Sequence, residues 1–337
     1  MTPNKILIVQ TAFIGDVVLI TPLIGAVKEL YPSAKVDVMV IPQTAEVLEN
    51  NPNINSIILF DKRQNKITSF LKTLFFLRKI KYDIAISPHS SMTTVLLLYY
   101  ANIPMRIGYD RWKAAKYLTH KVAHPAGINK TIKNLSLLSI LSDNKFSNQT
   151  KLFPSDRMFT KTDYLLSEIK SSTKKLIAIA PGSVWFTKKW SADYYKILAK
   201  QLVENNFGVV FIGSKDEREI CDEVLTEKNG INLAGELSLL ESAAVISKCD
   251  LMICNDSGAL HIANAVETDV FAFFGPTVQS IGYFPFRKND FVFERDMDCR
   301  PCGSHGGKSC HLKHHDCLKN IFPKEVLRKV LEKFGEL

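Results

Sequence analysis

Two phosphate-binding signatures are missing from this 337-residue sequence. Neither G-x-G-x-x-G nor G-x-x-x-x-G-K-[ST] occurs, so a dinucleotide oxidoreductase and a P-loop NTPase lose their usual marks. No apolar run reaches the ~18 residues of a membrane-spanning helix. The N-terminus lacks the charged, apolar and small-residue succession of a signal peptide, and a cytoplasmic protein is expected. No fixed-period repeat and no low-complexity tract interrupts the chain. The seven cysteines are an odd number without a signal peptide, which argues against a secreted disulfide scaffold. Cys221, Cys249 and Cys254 stand in apolar surroundings and read as core residues.

What is present suits a two-domain globular protein, with 46% hydrophobic and 23% charged residues. The net charge of +9 implies an anionic partner: nucleic acid, anionic lipid or a phosphorylated substrate. Strand-like runs alternate with helix-periodic segments. The first series is "KILIV" from Lys5, "KVDVMVI" from Lys35, "SIILF" from Ser56, "YDIAIS" from Tyr82 and "RIGY" from Arg106. Helical stretches near 15–30, 65–80 and 90–101 separate them. A second series runs "LIAIAP" from Leu176, "GVVFIG" from Gly208, "INLAG" from Ile231, "LMICN" from Leu251 and "VFAFFG" from Val270. Its helices fall near 191–206, 214–228, 238–248 and 258–266. Such alternation means βαβ units and parallel sheets. We therefore expect an α/β protein of two doubly wound domains. Their expected extents are 1–155 and 156–322, followed by a C-terminal helix over 323–337. Ligands of such sheets bind at the carboxyl ends of the strands, here in a cleft between the domains.

The strand-to-helix turns carry the chemistry. In "VQTAFIGDVVLITP", from Val9, Asp16 stands at the mouth of the first turn, as a helix cap or as a catalytic carboxylate. In "APGSVWFTKKWSADYY", from Ala180, small residues admit backbone N–H groups to an anion and lysines supply charge, unless the loop is merely solvated. Ser191 is placed to cap the helix that follows. "FIGSKDEREICDEVL", from Phe211, brings Asp216 and Glu217 just past a strand, where acids accept hydrogen bonds from ribose or simply favour the helix start. "CNDSGALHIANA", from Cys254, makes a turn of Asn255, Asp256, Ser257 and Gly258, with His261 on the same side of the first helical turn.

Together and in this order, "FIGDVVLITP", "PGSVWFTKKW", "IGSKDE", "NDSGALHIANA" and "FFGPT" resemble the ADP-heptose:lipopolysaccharide heptosyltransferases, glycosyltransferase family 9. The tail "CRPCGSHGGKSCHLKHHDCLKNI", from Cys299, is more similar to heptosyltransferase II than to heptosyltransferase I. The resemblance implies a GT-B architecture, two Rossmann-like domains facing a central cleft. It implies inverting transfer of L-glycero-D-manno-heptose from ADP-heptose to the Kdo/heptose inner core on lipid A. Asp16 matches the catalytic carboxylate, and Ser183 and Lys188 match donor-phosphate contacts. Glu217, or Asp216 beside it, matches the ribose-binding acid. Asp256, Ser257, Gly258 and His261 match the D-[ST]-G-x-x-H segment at the diphosphate and sugar. No cofactor is implied, and no D-x-D stands in these turns to hold a metal.

The remaining features are a basic stretch, a second one and the tail. Lys62, Arg63, Lys66, Lys72, Arg78, Lys79 and Lys81 interleave with Phe70, Leu71, Leu74, Phe75, Phe76 and Leu77. "RIGYDRWKAAKYLTHK" follows from Arg106. Both suit an anionic acceptor or the inner face of the inner membrane, while the apolar residues of the first read as core. Cys299, Cys302, Cys310 and Cys317 are ligand types for a structural zinc, with free thiols or a disulfide as alternatives. Competing readings are a transferase for another sugar nucleotide and a nucleic-acid-binding protein. The latter lacks any recognition-helix, zinc-finger or RNP signature.

Overall fold

The computed structural model describes residues 2–61, 66–89, 91–111, 113–225 and 230–336. Lys62, Arg63 and Trp112, and the side chain of Lys66, lie outside the described residues. The chain divides into two units, Met1–Phe153 and Pro154–Leu337.

In the first unit the strands are β1 (Lys5–Gln10), β2 (Lys35–Val40), β3 (Ser56–Leu59), β4 (Ile84–Ser87), β5 (Met105–Tyr109) and β6 (His120–Val122). Helices α1 (Ile14–Val18), α2 (Thr21–Leu30), α3 (Lys66–Ile80), α4 (Met92–Tyr100) and α5 (Lys130–Leu135) connect and cover them. The second unit holds α6 (Asp156–Ser172), β7 (Lys175–Ala180), α7 (Ala192–Glu204), β8 (Phe207–Phe211), α8 (Arg218–Val224) and β9 (Gly230–Asn232). It continues through α9 (Leu239–Ser247), β10 (Leu251–Asn255), α10 (Gly258–Ala265), β11 (Val270–Phe273) and β12 (Phe291–Phe293), then α11 (Asp316–Lys319) and α12 (Pro323–Phe334).

The central strands read as unbroken apolar runs because helices cover both of their faces. Ile6, Leu7, Ile8 and Val9 are fully buried, as are Ile177, Ala178 and Ile179. Pairing is parallel throughout, from Lys5 opposite Lys35 in one sheet to Leu251 opposite Ile177 in the other. The first sheet has the order β3-β2-β1-β4-β5-β6 and the second β9-β8-β7-β10-β11-β12, so the two units repeat one topology. Strand order reverses between β1 and β4, and again between β7 and β10. Those reversals leave crevices above the carboxyl ends of the strands, where doubly wound sheets bind ligands. The α/β class and the two doubly wound sheets are therefore as expected.

Three expectations need correction. The helix expected over 15–30 is two helices, α1 and α2. Pro22 in the first turn of α2 has no N–H to continue the ladder, and Thr21 Oγ1 closes back on Val18 O at 2.8 Å. Ser191 occupies the N-cap position of α7, but its side chain makes no capping hydrogen bond. The strands β6 and β12 were not expected; each has three residues, too few to display a period. Cys221, Cys249 and Cys254 are buried, as their surroundings implied. Burial pushes the Cys221 and Cys249 thiols up to about 12.

Candidate active site

In the second unit the turns after β7 and β10 are held together by one buried side chain, Asn255. Its Nδ2 donates to Pro181 O at 2.8 Å and Gly182 O at 3.1 Å, and its Oδ1 accepts from Trp190 N at 2.9 Å. Trp190 stacks on Phe273 with ring centroids 4.2 Å apart and donates its indole N–H to Ile321 O. The loop between β7 and α7 is thus clamped at both ends. Between the clamps, Lys188 Nζ lies 2.6 Å from Asp256 Oδ2. Both side chains are nearly buried, at 13% and 6% exposure, so the pair is desolvated. Thr277 Oγ1 donates to the same carboxylate oxygen at 2.6 Å. Asp256 is therefore an orienter of Lys188, outside the helix; the N-cap of α10 is Ser257. Gly258 opens α10, and His261 is buried one turn on, its ring 6.1 Å from that of Tyr283.

Ser183 is buried in the same loop, its Oγ accepting from Trp185 N at 3.4 Å. Glu217 closes a capping box on Ser214, accepting from its N–H at 2.8 Å and its hydroxyl at 3.0 Å. The other Glu217 oxygen lies over Gly182, where an added Cβ would stand only 1.7 Å from it. Gly182 is required by that approach, and Glu217 belongs to the same turn cluster as Ser183. Asp216 is exposed.

The cysteine-bearing tail reaches this loop. Thr187 and Gly307 exchange hydrogen bonds: Thr187 N to Gly307 O at 3.1 Å and Gly307 N to Thr187 Oγ1 at 2.8 Å. His315 Nε2 lies 2.8 Å from Thr187 O, and its ring stacks on Phe186. Thr187→Val keeps the shape and leaves the Gly307 N–H without its acceptor. The expected cost is about 1–3 kcal/mol, read as a lower melting temperature. An unchanged melting curve would mean that tail and loop are not coupled.

The four tail thiols differ in environment. Cys317 is buried in the core with Leu318 and Ile321, and burial pushes its thiol up to about 11. Cys302 is exposed, its Sγ 3.2 Å from Cys299 O. Burial raises the Cys310 thiol, but backbone N–H donors from His315, Leu312, His314 and Lys313 outweigh it and hold the group below the usual range. Among the described residues, no group of three or more His, Cys, Asp or Glu is arranged to hold a metal ion.

In the first unit, Asp16 lies half-buried in the first turn of α1, after β1 and so at the reversal of that sheet. The N-cap position is Phe13. The N-terminus of α5 brings Lys130 within electrostatic reach of Asp16. Burial lowers the Lys130 ammonium and the Asp16 charge raises it. Lys133 is lowered by burial, then by Lys130 and Arg111; His124 is lowered by burial, then by Lys133, Arg111 and Lys130. Asn134 Nδ2 docks α5 on Leu19 O at 2.9 Å. The second unit thus carries an ammonium beside a helix N-terminus, and the first unit, by itself, a carboxylate with a lysine near it.

Sequence reasoning did not single out Asn255, Thr277, Thr187 or Lys130 as candidate site residues. Asn255 and Thr277 lie inside the quoted motifs "NDSGALHIANA" and "FFGPT". Nothing local marked Lys130, because α5 itself was not expected.

Comparison with known proteins gives the family and the fold. The model for "Glycosyltransferase family 9 (heptosyltransferase)" matches residues 70–312. Lipooligosaccharide heptosyltransferase 2 of Campylobacter jejuni is 26% identical over 333 residues, covering 97% of this chain and 98% of that protein. The solved structure of E. coli ADP-heptose LPS heptosyltransferase II superposes with a TM-score of 0.79 at 25% identity, covering 97% of this chain and 98% of its own. A family 9 glycosyltransferase from Veillonella parvula shares the fold, with a TM-score of 0.85 at 21% identity and coverage of 99% and 98%.

Proposed function

This chain belongs to glycosyltransferase family 9, and from that premise we propose that it transfers L-glycero-D-manno-heptose from ADP-heptose to the inner core of lipopolysaccharide, with inversion, in the manner of heptosyltransferase II. The observation that carries the reading is the desolvated Lys188–Asp256 pair at the strand reversal of the second unit. An ammonium held at such a place, with a helix N-terminus beside it, suits a diphosphate. The names of the relatives support the donor and the acceptor.

The roles are those the family resemblance implies, with charge as their physical support. The acceptor hydroxyl attacks the anomeric carbon, the bond from that carbon to the ADP oxygen breaks, and the hydroxyl proton passes to Asp16. Lys188 neutralises the charge that accumulates on departing ADP, with Asp256 and Thr277 fixing its direction. Ser183 and the backbone at Ser257 and Gly258 meet the phosphates, Glu217 rather than Asp216 meets the ribose, and His261 lies near the sugar. Lys130, Lys133 and Arg111 accompany an acidic acceptor, the Kdo/heptose region of lipid A. The protein would work peripherally at the inner face of the inner membrane, without nucleic acid.

The test is turnover of ADP-heptose against a panel of truncated core acceptors, beside other ADP- and GDP-sugars. Turnover confined to another donor would replace the reading with that transferase. Retention on duplex DNA at physiological salt, with no ADP binding, would replace it with a nucleic-acid-binding role.

A structural zinc on Cys299, Cys302, Cys310 and Cys317 forms a separate part of the proposal. It rests on the residue types alone, since among the described residues no group of three or more ligand side chains is arranged to hold a metal ion. Protein prepared without chelator is then expected to carry about one zinc per chain. Metal-free protein on elemental analysis leaves four free thiols.

A further inference from the structure

Helix α3 turns two faces in two directions. Thr73, Leu74 and Leu77 are buried, and Phe70 packs on the same cluster. The core expected of this helix's apolar residues therefore holds for those positions. It fails for Leu71, Phe75 and Phe76, which are exposed, as is Ile67. Phe75 is 64% exposed and Ile67 76%. At roughly 100° per residue, Phe75 stands about 160° around the helix from Leu77. It points away from the core. Lys72, Arg78 and Lys79 are exposed among these apolar residues.

The second basic stretch arrives at the same place. Arg78 Nε donates to Tyr100 O at 2.9 Å and joins α3 to the end of α4, where Tyr99 and Tyr100 are both exposed. The Arg106 guanidinium lies 5.5 Å from the Tyr99 ring. Tyr117 sits 5.3 Å from Tyr99, with the Lys116 ammonium 4.9 Å from the Tyr117 ring. Two basic segments, separate in sequence, thus surround one apolar and tyrosine-rich surface.

From this juxtaposition we infer that the outer face of α3, with the Tyr99–Tyr100 corner, is the surface by which the first unit lies on an anionic phospholipid bilayer. Apolar side chains entering the headgroup region, flanked by Lys and Arg, are the composition of an interfacial helix. Tyrosines suit the same depth because one end is apolar and the other polar. A second copy of the chain is a poorer occupant. A two-fold contact through this face would oppose Lys72, Arg78 and Lys79 to their own copies, and like charges disfavour that. The inference rests on the proposed lipid-borne acceptor and names the surface that reaches it.

The experiment uses the full chain and acceptor-free vesicles, of phosphatidylethanolamine with phosphatidylglycerol or of phosphatidylcholine. The wild type is expected to sediment with the anionic vesicles, and less so as salt rises. Leu71→Ser with Phe75→Ser is expected to lower that partitioning at least about tenfold. Both positions are exposed, so the fold is expected to persist, checked by an unchanged melting temperature. Turnover on a delipidated, soluble acceptor is expected to stay at the wild-type rate. Failure of the wild type to bind anionic vesicles, or wild-type binding by the double variant, would overturn the inference. So would a wild-type dimer that the double variant converts to monomer, since the face would then belong to a second copy. If soluble-acceptor turnover is absent in the wild type itself, the proposed function fails; if only vesicle binding is absent, this inference fails alone.

Discussion

Asp16→Asn is expected to lower kcat by about 10²–10⁴, the usual contribution of a positioned base. The Asp16 carboxylate has two readings, cap and catalyst, and the two predict different mutants. The N-cap position is Phe13, and Asp16 lies in the first turn of α1, where its charge favours the helix. That interaction is worth about 0.3–1 kcal/mol. A loss of ~1 kcal/mol moves a unit of this size by only ~2–4 °C. The variant is therefore expected to melt within a few degrees of the wild type. It is also expected to bind ADP normally, because Ser183, Lys188, Glu217 and Asp256 all belong to the second unit. Near-wild-type kcat in a folded Asp16→Asn protein would leave Asp16 as a helix residue and nothing more.

Lys188→Ala is expected to act on both turnover and stability. Loss of a charge-assisted contact to phosphate costs about 1.5–3 kcal/mol, which is roughly 10- to 150-fold in kcat/KM for the donor. The same change strips a nearly buried carboxylate of its cation. Breaking a buried pair costs about 3–5 kcal/mol. Thr277 still donates to Asp256 here, so the low end applies. Differential scanning calorimetry is expected to show a melting temperature lower by roughly 6–12 °C. Lys188→Arg, which keeps the charge, is expected to recover stability more than turnover. An unchanged donor KM in a folded Lys188→Ala protein would put the phosphate elsewhere.

Much of the fold was legible because it is written in short range. Four consecutive buried residues, Ile6 to Val9, announce a strand covered on both faces. Pro22 carries the break between α1 and α2 in its own ring, although a periodicity spanning 15–30 hid it. The three-residue edge strands β6 and β12 have no such local signature; their pairing with β5 and β11 makes them strands. Asn255 shows the limit for the site. Its neighbours in sequence marked a turn, but its three hydrogen bonds run to residues more than 60 positions away.

The sequence by itself determined the alternation of strand and helix, the parallel sheets that follow from it, and the turns that bear Asp16, Lys188, Glu217 and Asp256. These are properties of period, turn chemistry and charge, each spanning a few residues. Only the tertiary structure decided that Lys188 is paired with Asp256, that the tail locks onto Thr187, and that α3 turns Phe75 outward while Leu77 goes in. The physical reason is the same in each case. Burial and pairing depend on which distant segments the sheet order brings together, and an apolar residue on a helix can meet a core or face outward without any change in its local sequence.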